Sequence, residues 1–598
     1  MQTYQNRNEV PVKYKWNTEL YFKNEEEYQA AYQKCQQQIA LFKNYQNHIK
    51  NPQKLYEFLN LLVDVNKIEG CLEVYAMALD DQELGIPENA ARLGALEDLI
   101  CQFEVSTNFF RSELLKLSKE EYASLFSSEP KLEEYRAFLD DIYRTKEHVL
   151  SDEEEILLTE MLSAVNDYES TASNLLNQEN NYGKIKVNGE TILISSTNYR
   201  KLKRGKDATV RKKAYQSFEK VIMQYAGTVA SLLNSYVKLD EKTAKIRHFS
   251  GSWEEYLFSS KLTDKIFRSL TDTVFRNLDS AQEFYRMKAK GLNQKYLNAF
   301  DTDVVLHSYK QEISIEEATT MIREAIKPLG EEYVKKFDEI SKNRCIDYCQ
   351  YKGKWSGGYC VSIPDYMPLI LMSYHGDLNS VFTIAHECGH HVHHQFMMDV
   401  LPAEYQSNER IVTEIPSLSN ELLLYFYLIK HAKTKEEKLS VIEKVMDTIN
   451  NNFFDAVREG FMEEEMHQYV REGNTITKDY MRELTLKSYE QFMGDAVKLD
   501  KLSGNSWARR THYYDSFYLY SYAVNISVAC NIVPKILDGD TEMLQKYIKF
   551  LQTGTNVSPM EAAAILGIDL EDEKVYQTTV DFYNSLVQEY YKILEEGE

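Results

Sequence analysis

The sequence predicts a mainly α-helical protein, and two observations support that prediction. The chain has only 23 Gly and 11 Pro in 598 residues, so residues that interrupt helices are scarce. Polar breaks separate helical patterns from residue 15 to about 180, and again from Asp207 to about residue 343. The length is sufficient for a large core and for more than one domain.

Taken in order, the chain shows helix boundaries at polar breaks such as Asn51-Pro52. Two segments depart from the helical pattern. Residues 184–194 predict a β-hairpin, because Asn188-Gly189 separates two runs of alternating residues. Residues 344–378 combine glycines with aromatic and β-branched residues, which predicts short strands and a loop. A strand with a free edge in that segment could bind a peptide of any sequence through backbone pairing.

The composition changes near residue 200, where residues 199–207 form the most basic stretch of an acidic chain. We interpret this stretch as a solvated face before a helix capped by Asp207; the alternative is that it steers acidic peptides. We place a domain boundary at this change, between residues 1–200 and residues 201–598.

Charge and composition exclude several classes of partner. The formal net charge of −23 disfavours nucleic acid and anionic membranes as partners. We find no run of roughly 20 apolar residues that could span a membrane, and the polar start lacks the apolar core of a signal peptide. The eight cysteines have no regular spacing and indicate free thiols in a reducing compartment. We therefore predict a cytoplasmic protein.

The motif that is most informative about function is His386-Glu387-Cys388-Gly389-His390, an H-E-x-x-H sequence. Residues four apart share one face of a helix, so His386 and His390 can bind one metal ion together. Glu387 follows about 100° round the helix, beside the metal, where a general base for a metal-bound water is needed. Cys388 falls on the opposite, apolar arc, so we expect its thiol to point into the core.

The surrounding histidines leave a second register open, in which His390 pairs with His394. That register lacks a carboxylate directly after its first histidine, so it could bind metal but has no base. We interpret His391, His393 and His394 as surface residues or as residues that contact the ligands, and not as ligands themselves.

Two carboxylates have suitable spacing for a third metal ligand. Glu409 lies 19 residues after His390, an interval typical of aminopeptidases with this motif, and Glu414 lies 24 residues after it. Glu414 opens an apolar helical run, whereas Glu409 looks like part of a loop or a helix start. We therefore choose Glu414. Pro416 is tolerated in a first helical turn, which predicts a helix beginning near Thr413.

Several further motifs occur in one order along nearly the whole chain, and together with the H-E-x-x-H they resemble oligoendopeptidase F, of the thimet-oligopeptidase group of zinc peptidases. The segments that carry the resemblance are residues 7–11, 353–359, 385–390, 414–421, 507–514, 517–523 and 550–559. Cys388 departs from the family, which usually has Leu there, and Pro416 stands where a small helix former is more usual.

This resemblance implies a clam-like, mainly α-helical zinc-peptidase fold with a deep central channel and a small β-sheet next to the H-E-x-x-H helix. Residues 1–200 would form a lid or channel wall that ends in the hairpin, and residues 201–598 the catalytic domain. The resemblance also implies one zinc ion per chain, which we assign to His386, His390 and Glu414.

The implied activity is that of a metalloendopeptidase that hydrolyses internal bonds of short, unstructured oligopeptides. Glu387 would assist attack by a zinc-bound water. By resemblance, His512 and Tyr520 would donate hydrogen bonds to the developing oxyanion, with Tyr514 and Tyr518 as alternatives to Tyr520. Two other functions stay open: an exopeptidase of the carboxypeptidase or dipeptidase type, and a peptide-binding protein without turnover.

Overall fold

The protein is described by a computed structural model that covers residues 4–163, 168–177, 179–187, 189–309 and 312–596. Helices account for most of these residues, so the predicted fold class is confirmed. Within the described ranges, no helix combines the length and hydropathy that a membrane-spanning segment needs.

The first third of the chain is helical, and its helices begin where polar caps precede them. Asn51 accepts a hydrogen bond from the Lys54 N–H, and Pro52 occupies the first turn of the following helix, where its missing N–H costs nothing. The helices are α1 (Glu25–Ile39), α2 (Pro52–Gln82), α3 (Pro87–Thr107), α4 (Phe109–Leu115), α5 (Lys119–Ser128), α6 (Arg136–Tyr143), α7 (Asp152–Ser163) and α8 (Tyr168–Asn177).

The predicted hairpin is present as β1 (Lys184–Val187) and β2 (Glu190–Leu193), which pair antiparallel. Asn188, in its turn, lies outside the described residues. Two helices follow, α9 (Ser196–Arg204) and α10 (Ala208–Ile246). The side chain of Asp207 accepts hydrogen bonds from two backbone N–H groups of α10, which confirms the predicted cap.

Two cations of the basic stretch form ion pairs. Lys203 Nζ lies 3.1 Å from Asp303 Oδ2, and Arg204 Nη1 lies 3.2 Å from Asp447 Oδ2. These pairs fix α9 against later parts of the chain, so Lys203 and Arg204 serve packing, whereas Arg200, Lys201 and Lys206 are exposed.

The remaining helices and strands build the centre of the molecule and its C-terminal part. They are α11 (Ser252–Ser259), α12 (Asp264–Arg276), α13 (Leu278–Gly291), β3 (Leu297–Asn298), α14 (Ile315–Ala325), α15 (Glu331–Lys342), β4 (Ile346–Cys349), β5 (Gly358–Val361), β6 (Leu369–Tyr374), α16 (Leu378–Met398), α17 (Arg410–Thr413), α18 (Ile415–His431), α19 (Lys435–Ile449), α20 (Ala456–Arg471), α21 (Lys478–Met493), β7 (Val497–Lys498), α22 (Ser521–Leu537), α23 (Thr541–Leu551), α24 (Pro559–Ile565) and α25 (Glu573–Glu595).

A small sheet precedes the H-E-x-x-H helix α16, as predicted. Its strand order is β4-β6-β5; β4 runs parallel to β6, and β5 pairs antiparallel with β6 at one edge. The loop between β4 and β5 is anchored by the buried Lys354. Its ammonium donates to Asp347 Oδ1 at 2.7 Å and to the Met372 carbonyl at 2.8 Å, which ties β4 to β6.

The central strand β6 separates two hydrophobic clusters, because successive side chains of a strand point to opposite faces. Leu369 and Leu371 pack with the N-terminal helices, in a cluster drawn mainly from residues 16–139. Ile370 and Met372 belong to the large central cluster that includes α16 and α18. A third cluster combines residues 176–237 with residues 462–519. The domain boundary near residue 200 stays a prediction.

Candidate metal and catalytic site

The H-E-x-x-H motif lies in the middle of α16, which begins where Asp377 accepts a hydrogen bond from the Ser380 N–H at 2.8 Å. His386 and His390 point to one side of this helix. Their Nε2 atoms are 3.3 Å apart, and their side chains are 26% and 21% exposed, so both rings reach solvent from a deep position.

Glu414 approaches the two histidines from the junction between α17 and α18. Its backbone N–H donates to Asn525 Oδ1 of α22 at 3.0 Å, and the Ser417 hydroxyl donates to its Oε2 at 2.8 Å. Pro416 occupies the first turn of α18, as expected. Glu409 faces elsewhere, with Oε1 3.9 Å from Lys261 Nζ.

The three side chains form a group with the dimensions of a zinc site. Glu414 Oε2 lies 3.2 Å from His386 Nε2 and 3.2 Å from His390 Nε2, which are 3.3 Å from each other. Zinc is bound tetrahedrally with ligand distances of about 2.0–2.2 Å, which places neighbouring ligand atoms about 3.3–3.6 Å apart. The triangle of ligand atoms therefore has the dimensions that a zinc ion requires.

Close packing of α16 on α18 holds this triangle. A Cβ on Gly389 would lie 2.6 Å from Ser417 Cα and 2.8 Å from the Pro416 carbonyl, so only glycine permits the approach. One turn further along α18, the Asn420 amide donates to the Ala385 carbonyl at 3.1 Å. This buried hydrogen bond fixes the two helices in register.

Glu421 orients the His386 ring through the nitrogen that does not face the other candidate ligands. Its Oε1 lies 2.8 Å from His386 Nδ1, so it accepts the ring proton and leaves Nε2 free for a metal. Burial lowers the pKa of His386, but the hydrogen bonds with Glu414 and Glu421 outweigh that effect and raise it well above its usual value. Sequence reasoning missed this role of Glu421. Its position seven residues after Glu414, two turns along one helix face, could have assigned this role.

Glu387 lies beside the metal-ligand group, next to the edge strand β5. It is 7% exposed, and burial raises the pKa of its carboxyl group. A Cβ on Gly358, the first residue of β5, would lie 3.7 Å from Glu387 Oε1. A cavity of about 410 Å³ opens here, lined by β5 residues 358–360 and by the three candidate ligands. Glu387 therefore lies in this cavity, next to the first residue of the edge strand.

Arg509 and Arg510 lie on the segment that carries His512, and both form ion pairs with glutamates. Arg509 Nη2 lies 3.3 Å from Glu219 Oε1, and Arg510 Nε lies 2.5 Å from Glu459 Oε2. The ring of His512, two residues further on, lies parallel to Tyr518 at 5.9 Å and edge-on to Tyr522 at 6.2 Å. Burial and the nearby Arg510 charge lower the pKa of His512.

The structure brings Tyr522 and Tyr518, but not Tyr520, towards the metal-ligand group. Tyr522 lies close enough to interact electrostatically with Glu414 and His386, and Tyr518 with Glu414. The two rings are 5.1 Å apart. Burial raises the pKa of both phenols, so they stay protonated and can donate hydrogen bonds.

The choice of Tyr520 as an oxyanion donor therefore needs correction. Tyr520 is 1% exposed, and its ring packs against Trp253, Tyr256 and Phe267 in the core. Tyr518 and Tyr520 both precede α22, and Tyr522 is its second residue, so no common helical periodicity relates the three rings. The sequence therefore held no signal that distinguishes them.

The alternative Tyr514 also faces away from the metal-ligand group. Its ring packs edge-on against Tyr236 of α10, with the centroids 5.5 Å apart.

The additional histidines are buried, so their interpretation as surface residues is wrong. His391, His393 and His394 are each no more than 2% exposed. His394 Nε2 hydrogen-bonds the Ile363 carbonyl at 2.9 Å, and burial lowers the pKa of His391 to about 3.

Cys388 is 1% exposed within the central cluster, which confirms the predicted direction of its thiol.

Comparison with known proteins decides the family. Residues 201–582 match the family model described as peptidase family M3. The chain belongs to peptidase family M3. Residues 113–181 match a second model, described as oligopeptidase F, so the resemblance drawn from the motifs is confirmed and the protein is a peptidase of this family.

Curated relatives of this M3 peptidase match over almost their whole length. An oligoendopeptidase F homolog of Borreliella burgdorferi is 27% identical, covering 99% of this chain and 100% of the relative. Oligopeptidase PepF of Bacillus subtilis is 25% identical, covering 98% of this chain and 88% of the relative.

Solved structures show the same fold. A putative peptidase from Chlamydophila abortus is 25% identical with a TM-score of 0.86, covering 99% of this chain and 100% of that one. The oligoendopeptidase F of Enterococcus faecium is 23% identical with a TM-score of 0.76, covering 96% and 99% of the two chains.

Proposed function

We propose that this M3 peptidase is a zinc-dependent endopeptidase that cuts internal bonds of short, unstructured oligopeptides. One zinc ion per chain would be held by His386, His390 and Glu414. The observation that carries this proposal is the triangle of their ligand atoms, with edges of 3.2, 3.2 and 3.3 Å, and with a buried carboxylate, Glu387, at its side.

The edge strand β5 is the proposed peptide-binding element. Its inner side pairs with β6, and its residues 358–360 line the cavity beside Glu387. An extended peptide can pair with the outer side through its backbone, which accepts many sequences. The side chains of His386 and His390 are only 26% and 21% exposed, so the site is recessed, which favours short, flexible chains over folded domains.

In the proposed reaction, zinc supplies a Lewis acid that acidifies water and polarises the scissile carbonyl. Glu387 accepts the proton of the attacking water; its burial raises its pKa and makes it a stronger base than an exposed carboxylate. Tyr522 and His512, with Tyr518 next to them, donate hydrogen bonds to the oxyanion as it develops. Glu387 then delivers its proton to the leaving amine.

An exopeptidase is the main alternative, and it differs only in where the chain is cut. The test is mass spectrometry of the fragments that the zinc-loaded protein releases from a mixed library of peptides. We expect internal fragments that disappear on chelation and return when zinc is added. Release of only single residues or dipeptides from one end would identify an exopeptidase. Binding of peptides without any fragments would identify a peptide-binding protein.

A further inference from the structure

One face of α20 supports both ends of the segment that carries His512. Glu459 and Glu463 are four residues apart on this helix, so their side chains share a face. Glu459 forms an ion pair with Arg510, whose Nε lies 2.5 Å from its Oε2. Glu463 Oε1 accepts a hydrogen bond from the Phe517 backbone N–H at 2.8 Å. The two glutamates therefore fix the chain on both sides of His512.

Phe517 has an unusual backbone conformation that its surroundings must maintain. Its φ is +65°, in the left-handed region that a bulky side chain seldom adopts. Its ring is buried and packs against Trp253 and His467, with ring centres 4.9 and 4.5 Å apart. Because a buried backbone N–H without an acceptor is costly, the Glu463 oxygen is a second constraint on this conformation.

The conformation of Phe517 sets the position of the next residue, Tyr518. The Tyr518 ring lies parallel to His512 at 5.9 Å, and its centre is 5.1 Å from that of Tyr522. The Tyr518 carbonyl accepts a hydrogen bond from the Ser521 N–H at 3.0 Å, at the start of α22, the helix that carries Tyr522. A change of φ at Phe517 would therefore displace Tyr518 relative to both neighbouring rings.

Glu463 makes its contact as a neutral group. The side chain is fully buried, and burial raises the pKa of its carboxyl group well above the usual value, which the hydrogen bond from Phe517 only partly offsets. The nearby carboxylates of Asp240, Asp515 and Glu459 raise this pKa further. Among the residues that the structure describes, Glu463 Oε2 has no hydrogen-bond partner. The contribution of Glu463 is therefore that of a hydrogen-bond acceptor and not of a charge.

We propose that Glu463 is a positioning residue for the reaction. By accepting the Phe517 N–H, it holds Tyr518 in place. Tyr518 in turn holds the hydroxyl group of Tyr522, the candidate donor to the oxyanion. A misplacement of about 1 Å can cost about 10²-fold in rate, so this contact can control turnover without touching the substrate. The proposal rests on the proposed function and adds to it the support of its oxyanion donors.

The test compares neutral substitutions in zinc-loaded protein, with kcat and KM measured on one fluorogenic peptide. Glu463→Gln keeps an acceptor oxygen at the same reach, whereas Glu463→Met has a similar length and no acceptor. Glu463→Asn is one methylene too short to reach the Phe517 N–H, and it serves if Glu463→Met does not fold.

The matched control is Glu443→Met in α19. Glu443 is also buried and accepts hydrogen bonds from the backbone N–H groups of Leu306 and His307, at 2.9 and 3.0 Å. That segment carries no candidate site residue, so Glu443→Met removes the same kind of contact at a place without a role in the reaction.

We expect Glu463→Met and Glu463→Asn to lower kcat about 10- to 100-fold, with KM and zinc content nearly unchanged. Glu463→Gln should keep kcat within about threefold of the parent value, because its amide oxygen still accepts the N–H. Glu443→Met should leave kcat per zinc-loaded molecule near the parent value. In protein that already carries Tyr518→Phe and Tyr522→Phe, Glu463→Met should lower kcat by less than about threefold, because the hydroxyls through which it acts are absent.

Parental kcat in the variants without an acceptor would overturn the proposal, as would equal losses in Glu463→Gln and Glu463→Met. A loss in KM alone, or the full loss of kcat in the background without the two hydroxyls, would show a general structural effect and overturn it too. A parent protein that binds zinc and cuts peptides would in each of these cases keep the proposed function. A parent protein that binds no zinc and cuts no peptide would lose the proposed function itself.

Discussion

Alanine in place of Gly389 tests whether the close packing of α16 on α18 holds the metal ligands together. The added Cβ would lie 2.6 Å from Ser417 Cα, and an ordinary contact needs 3.4 Å, so the helices must separate by roughly 0.8 Å. Glu414 stands at the start of α18, so the same movement stretches its 3.2 Å distances to the histidines towards roughly 4 Å. That exceeds the spacing of about 3.3–3.6 Å which a tetrahedral site requires.

The expected cost is that of overpacking, about 1–3 kcal/mol, which corresponds to zinc binding weakened about 5- to 150-fold. The assay is competition for zinc with a chelator of known affinity, together with thermal unfolding of the metal-free protein. The matched control is Gly94→Ala in α3, where a Cβ would meet no heavy atom within 4 Å. Both substitutions gain about 0.5–1 kcal/mol of helix propensity, so their difference isolates the clash. Parental zinc affinity in Gly389→Ala would refute the reasoning.

Four further predictions concern single side chains of the site. Glu387→Gln should keep its zinc and lower kcat by about 10²–10⁴, because the amide cannot accept the proton; kcat near the parent value would mean that another group is the base. Tyr522→Phe should lower kcat by about 10²–10³ as an oxyanion donor is lost, whereas Tyr520→Phe should change it little; the reverse order, measured with one peptide, would restore the original assignment. Glu421→Leu should weaken zinc binding about 10- to 100-fold in a chelator titration, and unchanged affinity would leave the residue no orienting role. Cys388→Leu should leave zinc content and activity nearly unchanged, and rapid labelling of the native thiol coupled to zinc loss would contradict its buried position.

The parts of the site that depend on one helix could be predicted from the sequence. A spacing of four residues places His386 and His390 on one face of α16 wherever that helix lies. The same periodicity assigns Cys388 to the core, where it is 1% exposed. The apolar run after Glu414, with Pro416 tolerated in its first turn, locates the second helix and so distinguishes Glu414 from Glu409 as the residue near the histidines.

The parts of the site that depend on contacts between separate elements could not be predicted from the sequence. His391 and His394 are polar residues on a helix with many polar neighbours, so their periodicity fits solvent as well as burial. The β5–β6 loop decides the matter, because the Ile363 carbonyl covers His394. Likewise, Tyr520 and Tyr522 belong to one aromatic segment, and the start of α22 determines which of them enters the core. Neither contact is encoded within a few residues of the side chain concerned.

The central position of β6 has a consequence for how the molecule holds together. Alternate side chains of this strand complete two cores at once, Leu369 and Leu371 on one face and Ile370 and Met372 on the other. The N-terminal helices are therefore an integral part of the fold. Their removal would expose an apolar face of the sheet to water, and exposed apolar faces promote aggregation. Loosening either core would withdraw support from the strand that holds β5 beside Glu387. Melting of the N-terminal part and loss of the peptide-binding edge should thus be one cooperative event.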